Sequence, residues 1–188
     1  MATNKLPDLS FVRECLDYDP DTGVFLWRER PLHHFVSARG WWQWNPKHAG
    51  KPAGTRHYGA RGTFYWAIRL AGSACLAHRL AWMLAHGVDP WPGDIDHSDG
   101  NPMNNRIANL RLATPGQNRA NSRLRRAGTI TGVKGVTVSS GRKILRYDAR
   151  VHLNGETYYL GCFPTIEEAA EARREAAVRL HGEFVRHK

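Results

Sequence analysis

The chain has 188 residues and carries 27 Lys and Arg against 17 Asp and Glu, a formal net charge of +10, which calls for a polyanionic partner, nucleic acid before an acidic membrane surface. It contains no run of about eighteen apolar residues, and its first ten, Met1 to Ser10, lack the apolar stretch of a signal peptide, so neither a membrane span nor export is expected. The only cysteines, Cys15, Cys75 and Cys162, form no Cys-x-x-Cys pair, so zinc is not the expected metal and no structural zinc is expected; three cysteines with no pairing pattern fit a reducing cytoplasm.

In chain order, Leu9 to Leu16 reads as a short helix with Ser10 as a cap and Phe11, Val12, Cys15 and Leu16 on one apolar face. Tyr18 to Gly23 is dense in turn residues and Val24 to Trp27 is β-prone, so a strand, a turn and a strand follow. Residues 28–62 resist assignment. Trp41, Trp42 and Trp44 lie there among His33, His34, Arg39, Lys47, His48, Lys51, Arg56 and Arg61. That mixture reads equally as a nucleic-acid surface, stacking on sugars or bases or forming a minor-groove arm, and as tryptophans plugging a small core. Thr63 to Leu70 is a predicted strand, Ala71 to Ser73 a turn and Ala74 to Ala77 the return strand. A helix then runs from His78 to about Gly87. His78 opens its apolar face and reads as a packing or phosphate-contacting residue rather than a ligand.

Gly87, Pro90, Pro92 and Gly93 lead into a strand at Ile95 that closes on Asp96 and His97. A turn-rich loop, Ser98 to Asn105, connects to a second short strand, Asn109 to Ala113. The helix after it has Thr114 as N-cap, Pro115 at its first position and Gln117 at its third. Two strands, a loop and a short helix can bring Asp96, His97, Asn109 and Asn118 together. Asp96 and Asn118 offer oxygen ligands of the kind Mg²⁺ takes, with Mn²⁺ as the second choice. His97 can take a proton from water attacking a phosphorus, provided its other nitrogen is fixed by a partner such as Asn109. An Asp-His dipeptide is common and an Asn-rich loop is usually a turn; the ordered combination is what points to a nuclease.

Charge is uneven along the chain. Residues 1–70 hold 10 Lys and Arg against 6 acids, residues 71–121 hold 4 against 4, and residues 122–188 hold 13 against 7. Arg123, Arg125 and Arg126 make residues 122–131 a basic linker that tracks phosphates, a sequence-independent and salt-sensitive contact. Beyond it come three short predicted strands, Gly135 to Ser139, Tyr147 to Leu153 and Thr157 to Leu160, with Asn154 and Gly155 as a tight hairpin. A helix follows from Thr165, with Glu168 at capping-box spacing and Gly182 past its end. Period two turns Val136, Val138, Ala149, Val151, Leu153, Tyr158 and Leu160 inward. Thr137, Ser139, Arg150, His152, Thr157 and Tyr159 then face outward, with Arg146 or Tyr147 beside them. Such a face can read base edges in the major groove.

The residues His78 to Trp82, Ile95-Asp96-His97, Asn105-Arg106, Asn109-Leu110-Arg111 and Gln117-Asn118 span about a quarter of the chain. They closely resemble the HNH homing endonucleases of phages and introns, in the subgroup with a final Asn. The resemblance implies a ββα-metal fold, His97 as general base, Asp96 and Asn118 holding the metal, and Asn109 orienting the His97 ring. Asn in place of His at 118 leaves that ligand neutral. The Tyr18 to Trp27 segment is also common at the front of phage HNH proteins, with no role beyond packing assigned to it.

Gly135-Val136, Tyr147, Ala149 and Val151, Leu160-Gly161 and Phe163, Glu167 to Ala170 and His181 to Phe184 are similar, over about fifty residues, to the APETALA or ethylene-response-factor (ERF) DNA-binding domain. That resemblance implies DNA contacts from Thr137, Ser139, Arg146, Arg150, His152, Thr157 and Tyr159. Thr and Ser stand in strand one where the plant domains carry Arg, and Tyr147 replaces their Trp, so the target sequence is not carried over.

The expectation is therefore an α+β protein: a ββα-metal (HNH) nuclease motif at 71–121 plus a C-terminal three-stranded antiparallel sheet packed on one helix at 132–188. A helix, hairpin and Trp-rich region at 1–70 precedes them. The expected function is site-specific cleavage of double-stranded DNA, of the homing type, in the cytoplasm of a bacterial or phage-infected cell. It would act as a monomer or dimer on DNA with no obligate protein partner. A non-catalytic DNA-binding regulator on the same scaffold is the alternative, and an RNA-binding or RNA-cutting protein a third.

Overall fold

The computed structural model describes residues 5–59, 62–121, 130–141, 144–153 and 155–182. They form two compact units, residues 1–112 and 113–188. The first opens with α1 (Leu9–Cys15), whose Val12 and Cys15 are fully buried, and the hairpin β1 (Leu16–Tyr18) and β2 (Phe25–Trp27), paired with Leu16 opposite Trp27. Asp19 shapes its turn: Oδ1 accepts from the Asp21 amide at 2.9 Å and Oδ2 from the Thr22 hydroxyl at 2.7 Å, a side chain standing in for backbone as turn aspartates do.

The unassigned stretch contains a helix, α2 (Ala38–His48), capped by Ser37, which accepts from the Gly40 amide at 3.2 Å. Gly40 and Pro46 inside it are poor helix formers and hide it from propensity. Tertiary contacts hold it instead. Asn45 brackets the Arg30 backbone, accepting from its amide at 3.0 Å and donating to its carbonyl at 2.9 Å, and the Trp41 indole donates to that same carbonyl at 2.8 Å. Trp44 packs against Trp27, as the core reading expects, while Trp42 is 68% exposed.

An antiparallel sheet follows in the order β3 (Thr55–Tyr58), β4 (Phe64–Leu70), β5 (Ser73–Leu76), and then α3 (Ala77–His86), which ends at Gly87 in the left-handed region. β6 (Asp94–His97) pairs with β7 (Leu110–Ala113). One core joins α1, the hairpin, β4, β5, α3, β6 and β7, from Leu6, Val12, Leu16 and Phe25 through Ile68, Leu80 and Ala81 to Ile95 and Leu110. Part of residues 1–70 thus shares its core with the nuclease strands, and α1 packs on α3, whose apolar surface a short two-stranded motif cannot bury by itself.

The second unit contains α4 (Pro115–Asn121), then β8 (Val136–Val138), β9 (Tyr147–Leu153) and β10 (Glu156–Phe163) as an antiparallel sheet in the order β10, β9, β8, and α5 (Ile166–His181). Val136, Ala149 and Val151 are buried with Ala169, Ala176 and Ala177 of α5, small side chains that let helix and sheet approach closely. Thr165 caps α5 by accepting from the Glu168 amide at 3.2 Å. A bulge between Tyr159 and Gly161 lengthens β10 past the predicted strand. Among the described residues no helix is long and apolar enough to cross a membrane.

Candidate active site

Asp96 and His97 close β6, and both are buried. Polar groups withdrawn from water require partners, and the neighbouring elements supply them. Arg111 on β7 donates from Nε and from Nη2 to Oδ2 of Asp96, at 2.9 Å each, compensating the buried carboxylate and aiming it. His97 Nε2 lies 3.4 Å from Asn105 Oδ1. Its ring stands edge-on to His78 of α3, 5.0 Å between centroids at 82°.

Burial lowers the His97 pKa from its ordinary value, against the opposing pull of the Asn105 hydrogen bond and of Asp99 and Asp96. The ring is therefore neutral near pH 7, as a proton acceptor must be. His78 is pushed down to about 3, by burial first and then by His97 and Arg79. It is 6% exposed, and among the described residues its Nδ1 has no hydrogen-bond partner. That burial favours the packing reading, with the ring as a neutral wall beside His97.

Asn109 closes the loop. Its Oδ1 accepts from Ser98 Oγ at 2.8 Å and from the Asp99 amide at 3.0 Å. Its Nδ2 donates to Asp99 Oδ1 at 3.0 Å and to the Asn104 carbonyl at 2.9 Å. Those four bonds fill the capacity of an amide, so the hydrogen bond expected from Asn109 to His97 does not form, and Asn105 is the amide set against the ring. Asp99 is the second hub, accepting also from the Asn101 amide at 2.7 Å and from Asn104 Nδ2 at 2.8 Å. Burial works against its ionisation, but these hydrogen bonds outweigh it and hold its carboxyl below the usual range.

The β1–β2 hairpin props the segment that carries Asn105. Tyr18 donates to the Asn105 carbonyl at 2.8 Å and the Ile107 amide to the Pro20 carbonyl at 3.0 Å. Gly23, at φ +75°, approaches so closely that a Cβ there would stand 2.7 Å from Arg106 N and Asn105 C. In the second unit, Thr114 and Gln117 cap α4 reciprocally: the Gln117 amide donates to Thr114 Oγ1 at 3.2 Å and the Thr114 amide to Gln117 Oε1 at 2.8 Å. Asn118 lies on this helix.

Residues 75–120, which contain this loop and both of its strands, match the HNH endonuclease family. Protein 3.8 of Escherichia phage T7 is 36% identical over 112 residues, covering 58% of this chain and 87% of that protein. The chain belongs to the HNH endonuclease family. An uncharacterized HNH endonuclease of Acanthamoeba polyphaga mimivirus is 38% identical over 108 residues, 57% of this chain and 54% of the mimivirus protein. No solved structure matches the chain.

In the second unit of this HNH endonuclease, Thr137 opposes Asp148, Arg150 opposes Tyr159 and His152 opposes Thr157, on the sheet face opposite the one that packs α5. His152 Nδ1 and Thr157 Oγ1 lie 2.8 Å apart, and the Arg150 guanidinium sits 5.8 Å from the Tyr159 ring centre. Tyr147 packs with Val136 and Ala149 on the other face, which leaves Arg146 as the flanking cation, its carbonyl accepting from the Ser139 amide at 2.8 Å. Asp148 lies among the outward residues: Tyr159 donates to it at 3.2 Å and Arg150 Nη2 is 3.6 Å away. Strand parity alone would have shown this acid. Arg123, Arg125, Arg126 and Asn154 lie outside the described residues.

Proposed function

We propose that this HNH endonuclease is a site-specific double-stranded DNA endonuclease of the homing type, with His97 as its general base. The observation that carries the reading is the buried Asp96-His97 pair on β6, its imidazole kept neutral by burial and set between Asn105 and His78. Asn105 Oδ1 can only accept, so His97 Nε2 carries the ring proton and Nδ1 the lone pair. That nitrogen takes the proton of the attacking water as its oxygen bonds to phosphorus and the bond to the 3′ oxygen breaks.

Asp96 and Asn118 would hold the divalent cation, Mg²⁺ before Mn²⁺; a carboxylate and an amide oxygen are the hard donors such an ion takes. When bound, the ion supplies Lewis-acid stabilisation of the phosphate and of the departing oxygen. Arg123, Arg125 and Arg126 would follow the backbone. Thr137, Ser139, Arg146, Arg150, His152, Thr157 and Tyr159, on the ERF-like sheet, would select the sequence. One active site per chain cuts one strand per bound monomer, and a double-strand break needs a dimer or a second event.

The test is incubation of supercoiled DNA with the protein and Mg²⁺, beside EDTA and His97→Ala controls. Nicked or linear product that needs both the metal and His97 supports the reading. One observation favours a second reading, a metal-independent DNA-binding regulator: the Arg111 cation already pairs with Asp96. Tight DNA binding in EDTA with no cleavage of the bound target under any divalent ion would establish the regulator instead.

A further inference from the structure

Away from the loop, Glu14 of α1 meets two adjacent histidines that follow β2. Its Oε2 lies 2.8 Å from His34 Nε2 and 3.3 Å from His33 Nε2, and one ligand atom from each of the three residues falls within 4.8 Å of the others. We propose that Glu14, His33 and His34 form a second metal site, selective for a borderline ion such as Zn²⁺ and separate from the ion used in cleavage. Ligands about 2.0–2.1 Å from a tetrahedral zinc stand about 3.3 Å apart, so small side-chain shifts bring these three atoms onto such an ion.

Two imidazoles and one carboxylate are the donor set of open, three-ligand zinc sites, and a Mg²⁺ site built on imidazole would be unusual. The absence of a Cys-x-x-Cys pair excludes a thiolate site around the nuclease loop and does not bear on this one. The residues differ in how firmly they are held. The His34 side chain is 4% exposed, with Cys15 Sγ 3.7 Å from its Nδ1, while Glu14 and His33 are 45% and 70% exposed. A buried anchor with two surface ligands admits an ion without opening the core. His34 is held neutral by burial and by Arg30, the form a metal requires.

Arg30 opposes the ion. Its Nε donates to His34 Nδ1 at 3.3 Å, which places the ring proton on Nε2, facing Glu14. Binding releases no net proton from the ring: its single proton moves by exchange with solvent from Nε2 to Nδ1, the ion takes the freed Nε2 lone pair, and Arg30 Nε must turn away. The Arg30 guanidinium also lies 5.1 Å from the ring centres of both Phe35 and Trp44, contacts that can keep it in place once that bond is lost. The bound ion would tie α1 to the segment entering α2 and stabilise the first unit by mass action.

The test is equilibrium dialysis of the untagged full chain against Zn²⁺ with Mg²⁺ in excess, so that ions filling the cleavage site do not count. We expect one Zn²⁺ per chain, tenfold or more weaker binding in His33→Ala and in Glu14→Gln, and tighter binding in Arg30→Met. Circular dichroism checks that each variant is folded. No stoichiometric uptake by the wild type, or uptake undiminished in both His33→Ala and Glu14→Gln, overturns the site.

Discussion

Replacing Gly23 by Ala tests whether the hairpin sets the active-site loop. The substitution has two effects that a second glycine separates. Gly23 and Gly50 have nearly the same left-handed φ, +75° and +73°, so alanine at either carries the same conformational penalty, about 1–2 kcal/mol. Around Gly50 a Cβ meets nothing within 4 Å, whereas at Gly23 it stands 2.7 Å from two backbone atoms of the loop. Backbone cannot rotate aside as a side chain does, so Gly23→Ala must displace residues 105–106, an overpacking cost of about 1–3 kcal/mol. Urea unfolding followed by tryptophan fluorescence reads this directly, because all seven tryptophans lie before residue 113, in the first unit. Gly23→Ala should unfold at lower urea than Gly50→Ala, by about 1 M for a slope of about 2 kcal/mol/M. Nicking should fall about tenfold in Gly23→Ala alone, since displacing the Asn105 backbone displaces the amide set against His97. Equal midpoints for the two variants would refute the buttress, and unchanged nicking in a destabilised Gly23→Ala would sever it from His97.

Asn105→Ala should leave the loop folded and slow cleavage about tenfold, whereas Asn109→Ala strands partners of four hydrogen bonds and should lower stability by about 2–3 kcal/mol; urea midpoints beside nicking rates distinguish them. The His78 pKa is lowered to about 3, so the unfolded chain binds a proton there between about pH 6.5 and pH 3 and the folded chain does not. That contribution is fully present above pH 6.5 and is lost as pH falls, by on the order of 4 kcal/mol at pH 3; His78→Phe should flatten this part of a stability-against-pH curve, and an unaltered curve would refute it. Arg150→Ala should weaken binding to a selected site by about 1–3 kcal/mol if it reads a base, and an equal loss on every sequence would make it a phosphate contact.

Elements with a strong local signal are legible in the sequence alone. The capping of α4 by Thr114 and Gln117, the N-cap of α5 at Thr165, the alternation in Tyr147 to Leu153 and the glycine stop after α3 each depend on a few neighbouring residues, and each forms where those residues place it. The α2 helix was not legible, because its stability comes from Arg30, eight or more residues away, through Asn45 and Trp41. Nor was the single core of the first unit, since periodicity tells which face of α1 is apolar but not that α3 lies beneath it. The bulge at Leu160 was invisible for the same reason: an extra residue in β10 leaves the hydrophobic pattern of β9 untouched.

At the candidate site the sequence offers residue types rather than connections. The proposed mechanism calls for a carboxylate, an imidazole and something to fix the ring, and Asp96, His97 and the loop amides are residues of those types. Residue type and spacing, however, do not tell which of Asn104, Asn105 and Asn109 performs which task. The structure divides the work by burial and by reach. Asn109, at the foot of β7, faces the inside of the loop, where two amide hydrogens and two lone pairs can all be used at once. Asn105, at the loop's far end, is held through its carbonyl by Tyr18 and presents its side chain to His97. A turn more than eighty residues upstream thereby becomes part of the positioning of the amide set against His97, the proposed general base. The Tyr18 to Gly23 segment is then constrained by the backbone of the loop as well as by its own hairpin.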